Sequence, residues 1–142
     1  MFYIWLIIIG LLQATVFKGF NIMLLLAIFA GMKKGPLAGF LIGGAIGAFL
    51  GIFSISSFGL NIGLYCFIGL ASGILKVRLF YKREDFLMEM AFSFCGVLLY
   101  YFLYFILTDF SHPSIFLSAF FLAITAPFIF RVVDTSLHTH AN

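Results

Sequence analysis

Charge is what this sequence of 142 residues has least of: 9% is Asp, Glu, Lys or Arg, while 64% is hydrophobic and 20% aromatic. A soluble domain carries about a quarter charged residues, so a water-soluble fold is excluded. Catalytic signatures are missing too. No GxSxG, HExxH, P-loop or paired mid-membrane carboxylates occur, so nucleophilic, metal-hydroxide and phosphoryl-transfer chemistry lack their parts, and the chain reads as a non-enzyme needing no cofactor. Cysteine is scarce. Cys66 and Cys95 both fall within apolar runs, where a thiol serves as a small hydrophobe. His138 and His140 stand two apart in a short polar tail with no third ligand, which reads as a disordered tail and no metal site. The opening stretch lacks a basic n-region and a small-residue cleavage site, and so reads as a retained helix, not a signal peptide.

What is present is a series of long apolar runs rich in Leu, Ile, Phe and Gly. They lack the period-2 polar alternation of an outer-membrane strand, and lipid demands that each segment pair its own backbone groups, so the segments are helices. The expected fold is an all-α polytopic integral membrane protein, a single membrane domain over residues 1–142. Six segments can be drawn, at residues 2–17, 20–32, 36–53, 60–75, 86–107 and 115–133. The second is short: 13 residues rise about 20 Å, against a hydrocarbon core of about 30 Å, so five spans remain an alternative to six. Snorkelling of Lys18 and Lys33 favours a short span over a re-entrant hairpin. In the six-span arrangement the cytoplasmic loops hold Lys33, Lys34, Lys76, Arg78, Lys82, Arg83 and Arg131, leaving Lys18 outside; in the five-span one all of these, Lys18 included, lie inside. Both place the C-terminus in the cytoplasm.

The third segment has a regular feature. Gly35, Gly39, Gly43, Gly47 and Gly51 recur every fourth residue, which predicts one helix face of bare backbone about four turns long. Gly59, Gly63, Gly69 and Gly73 put a similar pattern on the fourth segment, making these two helices candidate partners across a Ser-Ser-Phe-Gly turn. The glycine face serves either internal packing, the favoured reading, or a helix of another protein.

Ionisable residues at mid-span are functional hypotheses by default, and the chain offers almost none. Glu89 lies about one turn inside the fifth segment, near Lys82 and Arg83; Asp109 ends that segment and Asp134 follows the sixth. Gln13, Asn61, Thr108 and Thr125 are candidates for interhelical hydrogen bonds. The cluster Lys76, Arg78, Lys82 and Arg83, with Leu79, Phe80 and Tyr81, reads as a lipid-anchoring patch on the cytoplasmic face, or else a docking surface, and not as a nucleic-acid site. Pro127 is expected to kink the sixth helix.

The run Lys-Lys-Gly-Pro-Leu-Ala-Gly-Phe-Leu-Ile-Gly-Gly over 33–44, then Gly-Ala-Phe-Leu-Gly over 47–51, Phe-Gly-Leu-Asn over 58–61 and the stretch from Tyr65 to Gly73, resembles the MreD family of rod shape-determining proteins. In that family a basic residue and Gly-Pro open a glycine-rich helix, and a Leu-Gly-Leu-Asn-like turn leads into the next. Gly51 stands where the family commonly has an Asp; the last two helices match only in length and hydropathy. The resemblance implies a non-enzymatic scaffold of the cell-elongation machinery in the bacterial inner membrane, associating with the bitopic protein MreC and through it with MreB, RodA and PBP2. It also implies a six-helix fold similar to the substrate-binding subunits of energy-coupling-factor vitamin transporters, and such a subunit is the rival functional reading. The bulky run Trp5-Leu6-Ile7-Ile8-Ile9 and the short outward loops argue against it, because such subunits present a small-residue face on their first helix. The interface candidates are Gly39, Gly43, Gly47, Gly51, Gly59, Asn61, Gly69 and Gly73.

Overall fold

The structure, a computed structural model, describes residues 4, 8, 21–53, 58–79, 85–109 and 114–138. Apart from Ile4 and Ile8, both helical and exposed, the expected first segment lies outside the described residues, as do Lys18, Lys82, Arg83 and His140. Five helices follow: α1 (Ile22–Lys34), α2 (Pro36–Phe53), α3 (Phe58–Leu79), α4 (Phe86–Thr108) and α5 (Ile115–His138). Three of them, α3, α4 and α5 as far as Thr135, are long and apolar enough to cross a membrane, and Pro36–Ile52 of α2 is a shorter apolar helix. The described chain therefore has the character of an α-helical membrane protein.

The Lys-Lys-Gly-Pro sequence makes the joint between α1 and α2 out of three separate effects. Lys33 and Lys34 occupy the last turn of α1, where cations complement the negative helix end. Gly35 takes φ 98°, a conformation that a side chain disfavours. Pro36 then opens α2, where its missing N–H costs no intrahelical bond. With one residue between the helices, the chain folds back far enough that an ideal Cβ at Gly39 would stand 2.7 Å from the Cα of Gly31. Gly35 was expected to belong to the glycine face of the third segment; it is instead the joint before it, and a Cβ added there would meet nothing within 4 Å.

α1 forms the centre of the bundle. Every residue from Met23 to Met32 is buried, and the helix touches α2, α3, α4 and α5. An apolar helix without a polar stripe belongs in an interior, and here its walls are the other four helices. Its 13 residues need not match the bilayer thickness, because protein covers them. α2 and α3 pack together on one side and α4 and α5 on the other, with Phe29 of α1 5.1 Å from the Phe130 ring of α5.

The helix ends differ from the apolar segments in an informative way. α3 extends past the expected 60–75 to take in Phe58 and Gly59 before it and Lys76 to Leu79 after it, and α5 runs on past 133 to His138. Lys and Arg are good helix formers whose stems follow apolar surface to water, so hydrophobicity stops before the backbone does. Phe58 to Asn61, expected as a turn, is therefore the first turn of α3. α4 ends one residue beyond the expected 107, and its chain turns at Asp109 with φ 53°, the left-handed conformation of a helix C-cap.

Candidate functional site

The α2–α3 contact is built from the glycine series. An added Cβ at Gly39 would collide with the carbonyl oxygen of Gly69, and one at Gly69 with the carbonyl oxygen of Gly39. The two contacts are reciprocal, so each backbone carbonyl faces the other glycine's Cα–H, a weak hydrogen bond that recurs where helices touch without side chains. One turn along α2, Gly43 meets the carbonyl of Tyr65; at the next turn an ideal Cβ on Gly47 would stand 2.7 Å from the carbonyl oxygen of Asn61 and 2.7 Å from the Cα of Ile62. Gly51 lies under Phe58, 2.6 Å from ring Cδ2 by the same construction, and Gly73 lies 2.5 Å from the Cα of Pro36. Steps of four up α2 match steps of about four down α3, so the helices run antiparallel in one continuous register.

Between α2 and α3, among the described residues, a glycine therefore faces a glycine at 39 and 69 alone. At 43 and 47, α2 presses on the backbone of Tyr65 and Asn61. Gly59 and Gly63 were expected to extend the α3 face; an added Cβ at either meets nothing within 4 Å. Gly63 is two residues, about 200°, round the helix from Asn61 and Tyr65, which places this second glycine pair on the opposite side. Asn61, expected at an outward turn with Phe58, is buried, while Phe58 is half exposed.

Gly31 of α1 brings a third backbone into the junction. Its added Cβ would strike the Gly69 carbonyl and the Ser72 hydroxyl, and would lie 3.0 Å from the Gly73 nitrogen. Ser72 donates to the Gly69 carbonyl at 2.9 Å and to the Ile28 carbonyl of α1 at 3.4 Å. The signal for Gly31 was in the sequence: it is the next glycine back at the same four-residue spacing, concealed because Gly35 breaks the helix between them. Gly96 of α4 was also missed; its added Cβ would stand 2.6 Å from Ile28 Cδ1.

The ends of the bundle have different chemistry. The contacts that join Gly31 to Gly73, and Phe86 of α4 to Phe128 of α5 at 6.2 Å, bring the α1 C-terminus, the α3 C-terminus, the α4 N-terminus and the later half of α5 to one end. That end holds Lys33, Lys34, Lys76, Arg78, Asp85, Glu89, Arg131 and Asp134; among the described charged residues only Asp109 is elsewhere. Lys82 and Arg83, the neighbours expected for Glu89, lie outside the described residues; its carboxylate lies 3.7 Å from the Lys33 ammonium. Both groups are largely buried, Lys33 in the last turn of α1 and Glu89 in the first turn of α4, and each has the sign its helix end favours.

At the opposite end the tyrosines form a cluster. Tyr65, 1% exposed, donates to Asn21 Oδ1 at 2.6 Å; the same oxygen caps α1 by accepting from the Leu24 N–H at 3.3 Å. The Tyr65 ring lies 5.4 Å from that of Tyr100, which is followed by Tyr101 at 5.5 Å and Tyr104 at 6.1 Å. Asn21 and Tyr65 are 44 residues apart, so no local pattern pointed to them. The hydroxyls of Thr108 and Thr125, expected to bond between helices, donate within their own: Thr108 to the Tyr104 carbonyl at 2.6 Å, and Thr125 to those of Phe121 and Leu122 at 3.0 and 3.1 Å.

Among the described residues no three His, Cys, Asp or Glu side chains come together. Cys66 is buried and Cys95 exposed, both as free thiols. The arrangement fixes helix faces relative to one another and separates a charged end from a tyrosine-rich one. Family models, curated proteins and solved structures give no match to the chain.

Proposed function

We propose that this protein is a non-enzymatic membrane scaffold of the bacterial cell-elongation machinery, an MreD-like subunit that links an MreC-like bitopic partner, and through it MreB, RodA and PBP2, to peptidoglycan synthesis. The observation that supports the reading is where the resemblance falls. Of the glycines that carry it, Gly39, Gly43, Gly47, Gly69 and Gly73 stand where, together with Gly31, α1, α2 and α3 meet without side chains, while Gly59 takes no part in that contact. A scaffold acts through the fixed relative position of its faces, and backbone contact leaves little freedom to rearrange. Six spans in an arrangement like that of the vitamin-transporter subunits, an inner-membrane location and a cytoplasmic C-terminus belong to the same proposal. The gathering of Lys33, Lys34, Lys76, Arg78 and Arg131 at one end agrees with that end being cytoplasmic.

Depletion of the protein in its host, followed by imaging, tests the reading. Rounded cells with mislocalised wall synthesis, together with co-purification of an MreC-like protein, are the expected result; normal rods would overturn it. The rival, a vitamin-binding subunit, predicts saturable binding of a vitamin to the purified protein. The tyrosine end is where such a ligand would be sought, and there Tyr65 and Asn21 bond to each other.

A further inference from the structure

Helices in lipid are not pressed together by the hydrophobic effect, because acyl chains are as apolar as leucine; packing and hydrogen bonds hold them. The density of packing between two helices therefore sets how firmly they are joined. By that measure the described helices form two units. α1, α2 and α3 meet one another closely, with backbone against backbone at Gly31, Gly39, Gly43, Gly47, Gly69 and Gly73. α4 and α5 pack closely on each other, while the contacts from one unit to the other are sparse.

The seam between the units is built from different material. Along it α3 and α4 leave two apolar hollows, one of about 570 Å³ that includes Ile68, Leu79, Asp85 and Leu99 in its walls, and one of about 390 Å³ between Gly63, Phe67, Leu103 and Leu107. Rings and side-chain ends stand across it: Tyr65 lies 5.4 Å from Tyr100, Phe29 lies 5.1 Å from Phe130, and Ile28 Cδ1 lies against Gly96. Such contacts let packed helices slide by small amounts, whereas the glycine contacts lock one backbone into another. The Lys33–Glu89 approach of 3.7 Å is longer than a hydrogen bond, so its attraction is Coulombic and tolerates a shift of about an ångström.

One buried group is unsatisfied where the units meet. Ser93 of α4 is 0% exposed and its hydroxyl has no hydrogen-bond partner, whereas Ser72, Thr108 and Thr125 each donate to a carbonyl of their own helix. At 100° per residue Ser93 stands about 40° from Glu89, which meets α1, and about 20° from Phe86, which meets α5. It therefore lies at the junction of α4 with both. A buried hydroxyl left unpaired bears its desolvation penalty in full, which raises the free energy of this arrangement above one that pairs it.

We propose that α4 and α5 move as one unit against α1, α2 and α3, in a shear that closes the larger hollow between α3 and α4, and that the structure shows the open position. Ser93 weighs against the open position and the Lys33–Glu89 attraction spans both. The lateral surface differs between the two positions, so a membrane partner that prefers one of them shifts the balance. The shear is independent of the scaffold reading.

Spin labels at exposed positions of the charged end read the motion: Leu37 of α2, Leu75 of α3, Leu87 of α4 and Val132 of α5. The full chain carrying Cys66→Ala and Cys95→Ala is labelled at Leu37→Cys with Leu87→Cys across the seam. Leu37→Cys with Leu75→Cys, and Leu87→Cys with Val132→Cys, are the pairs within each unit. Chains with the helicity of the unmodified protein are placed in lipid nanodiscs, and distances are measured by pulsed dipolar electron paramagnetic resonance. Two distances are expected across the seam, the shorter belonging to the closed position, and one narrow distance within each unit. Ser93→Ala, which removes the unpaired hydroxyl, should raise the ratio of the longer to the shorter distance several-fold. A single distance across the seam as narrow as those within the units, or pairs within the units as broad as the pair across the seam, would overturn the proposal, as would populations indifferent to Ser93→Ala.

Discussion

Adding one methyl group at Gly47 and one at Gly63 should move stability in opposite directions. In Gly47→Ala the new Cβ stands 2.7 Å from both the Asn61 carbonyl oxygen and the Ile62 Cα, whereas ordinary contact begins at 3.4 Å. The helices must separate by 3.4 − 2.7 = 0.7 Å, and the obstacle is backbone on both counts, so no side-chain rotation relieves it. Overpacking of this kind costs about 1–3 kcal/mol. Alanine's better helix propensity returns about 0.5–1 kcal/mol, leaving a net loss on the order of 1–2 kcal/mol. Separation at position 47 also loosens the Gly43 and Gly39 contacts that share its register. In Gly63→Ala the methyl meets nothing within 4 Å, so only the propensity gain of about 0.5–1 kcal/mol remains. Reversible unfolding of the purified protein in mixed detergent micelles with rising dodecyl sulfate, followed by circular dichroism, measures both. A Gly47→Ala protein as stable as the parent, or a Gly63→Ala protein less stable than Gly47→Ala, would refute the backbone-contact argument; Gly43→Leu extends the test and should lower abundance in cells.

The Lys33–Glu89 pair should show coupling in a double-mutant cycle: Glu89→Ala leaves a largely buried ammonium without its carboxylate, so each single change should destabilise more than its share of the double, with an interaction energy of about 0.5–3 kcal/mol. Additive losses in the same unfolding assay would mean the 3.7 Å approach contributes nothing. Tyr65→Phe removes the donor to Asn21 and should cost about 0.6 kcal/mol, the average for hydrogen bonds between membrane helices, and at most about 1.7 kcal/mol, whereas Tyr104→Phe keeps its ring against Tyr100 and should cost less. Cysteines introduced as Lys82→Cys and His140→Cys should resist a membrane-impermeant maleimide added outside intact cells; labelling from outside would invert the proposed topology.

Composition and periodicity determined a great deal. The scarcity of charge set the solvent, the run lengths set the helices to within a few residues, and the four-residue glycine spacing marked the face along which α2 meets a neighbour. These are local properties: transfer free energy is summed over a window, and a side-chain period is read along one helix. The four-residue rule also misled where its premise failed, at Gly35, which is not helical, and at Gly59 and Gly63, which fall on the far side of α3.

Only the tertiary structure decided which surfaces face one another. It placed the short α1 at the centre, because a helix apolar all round has no preferred face until four others surround it. It matched Gly39 to Gly69 and carried the backbone of Tyr65 and Asn61 against Gly43 and Gly47, a register that depends on the relative height of two helices and appears in neither alone. It joined Asn21 to Tyr65 and Lys33 to Glu89. Hydrophobic transfer drives each segment into the membrane without regard to azimuth; azimuth and partner come from packing and hydrogen bonds between helices, which are pairwise terms that a single strand of sequence does not contain.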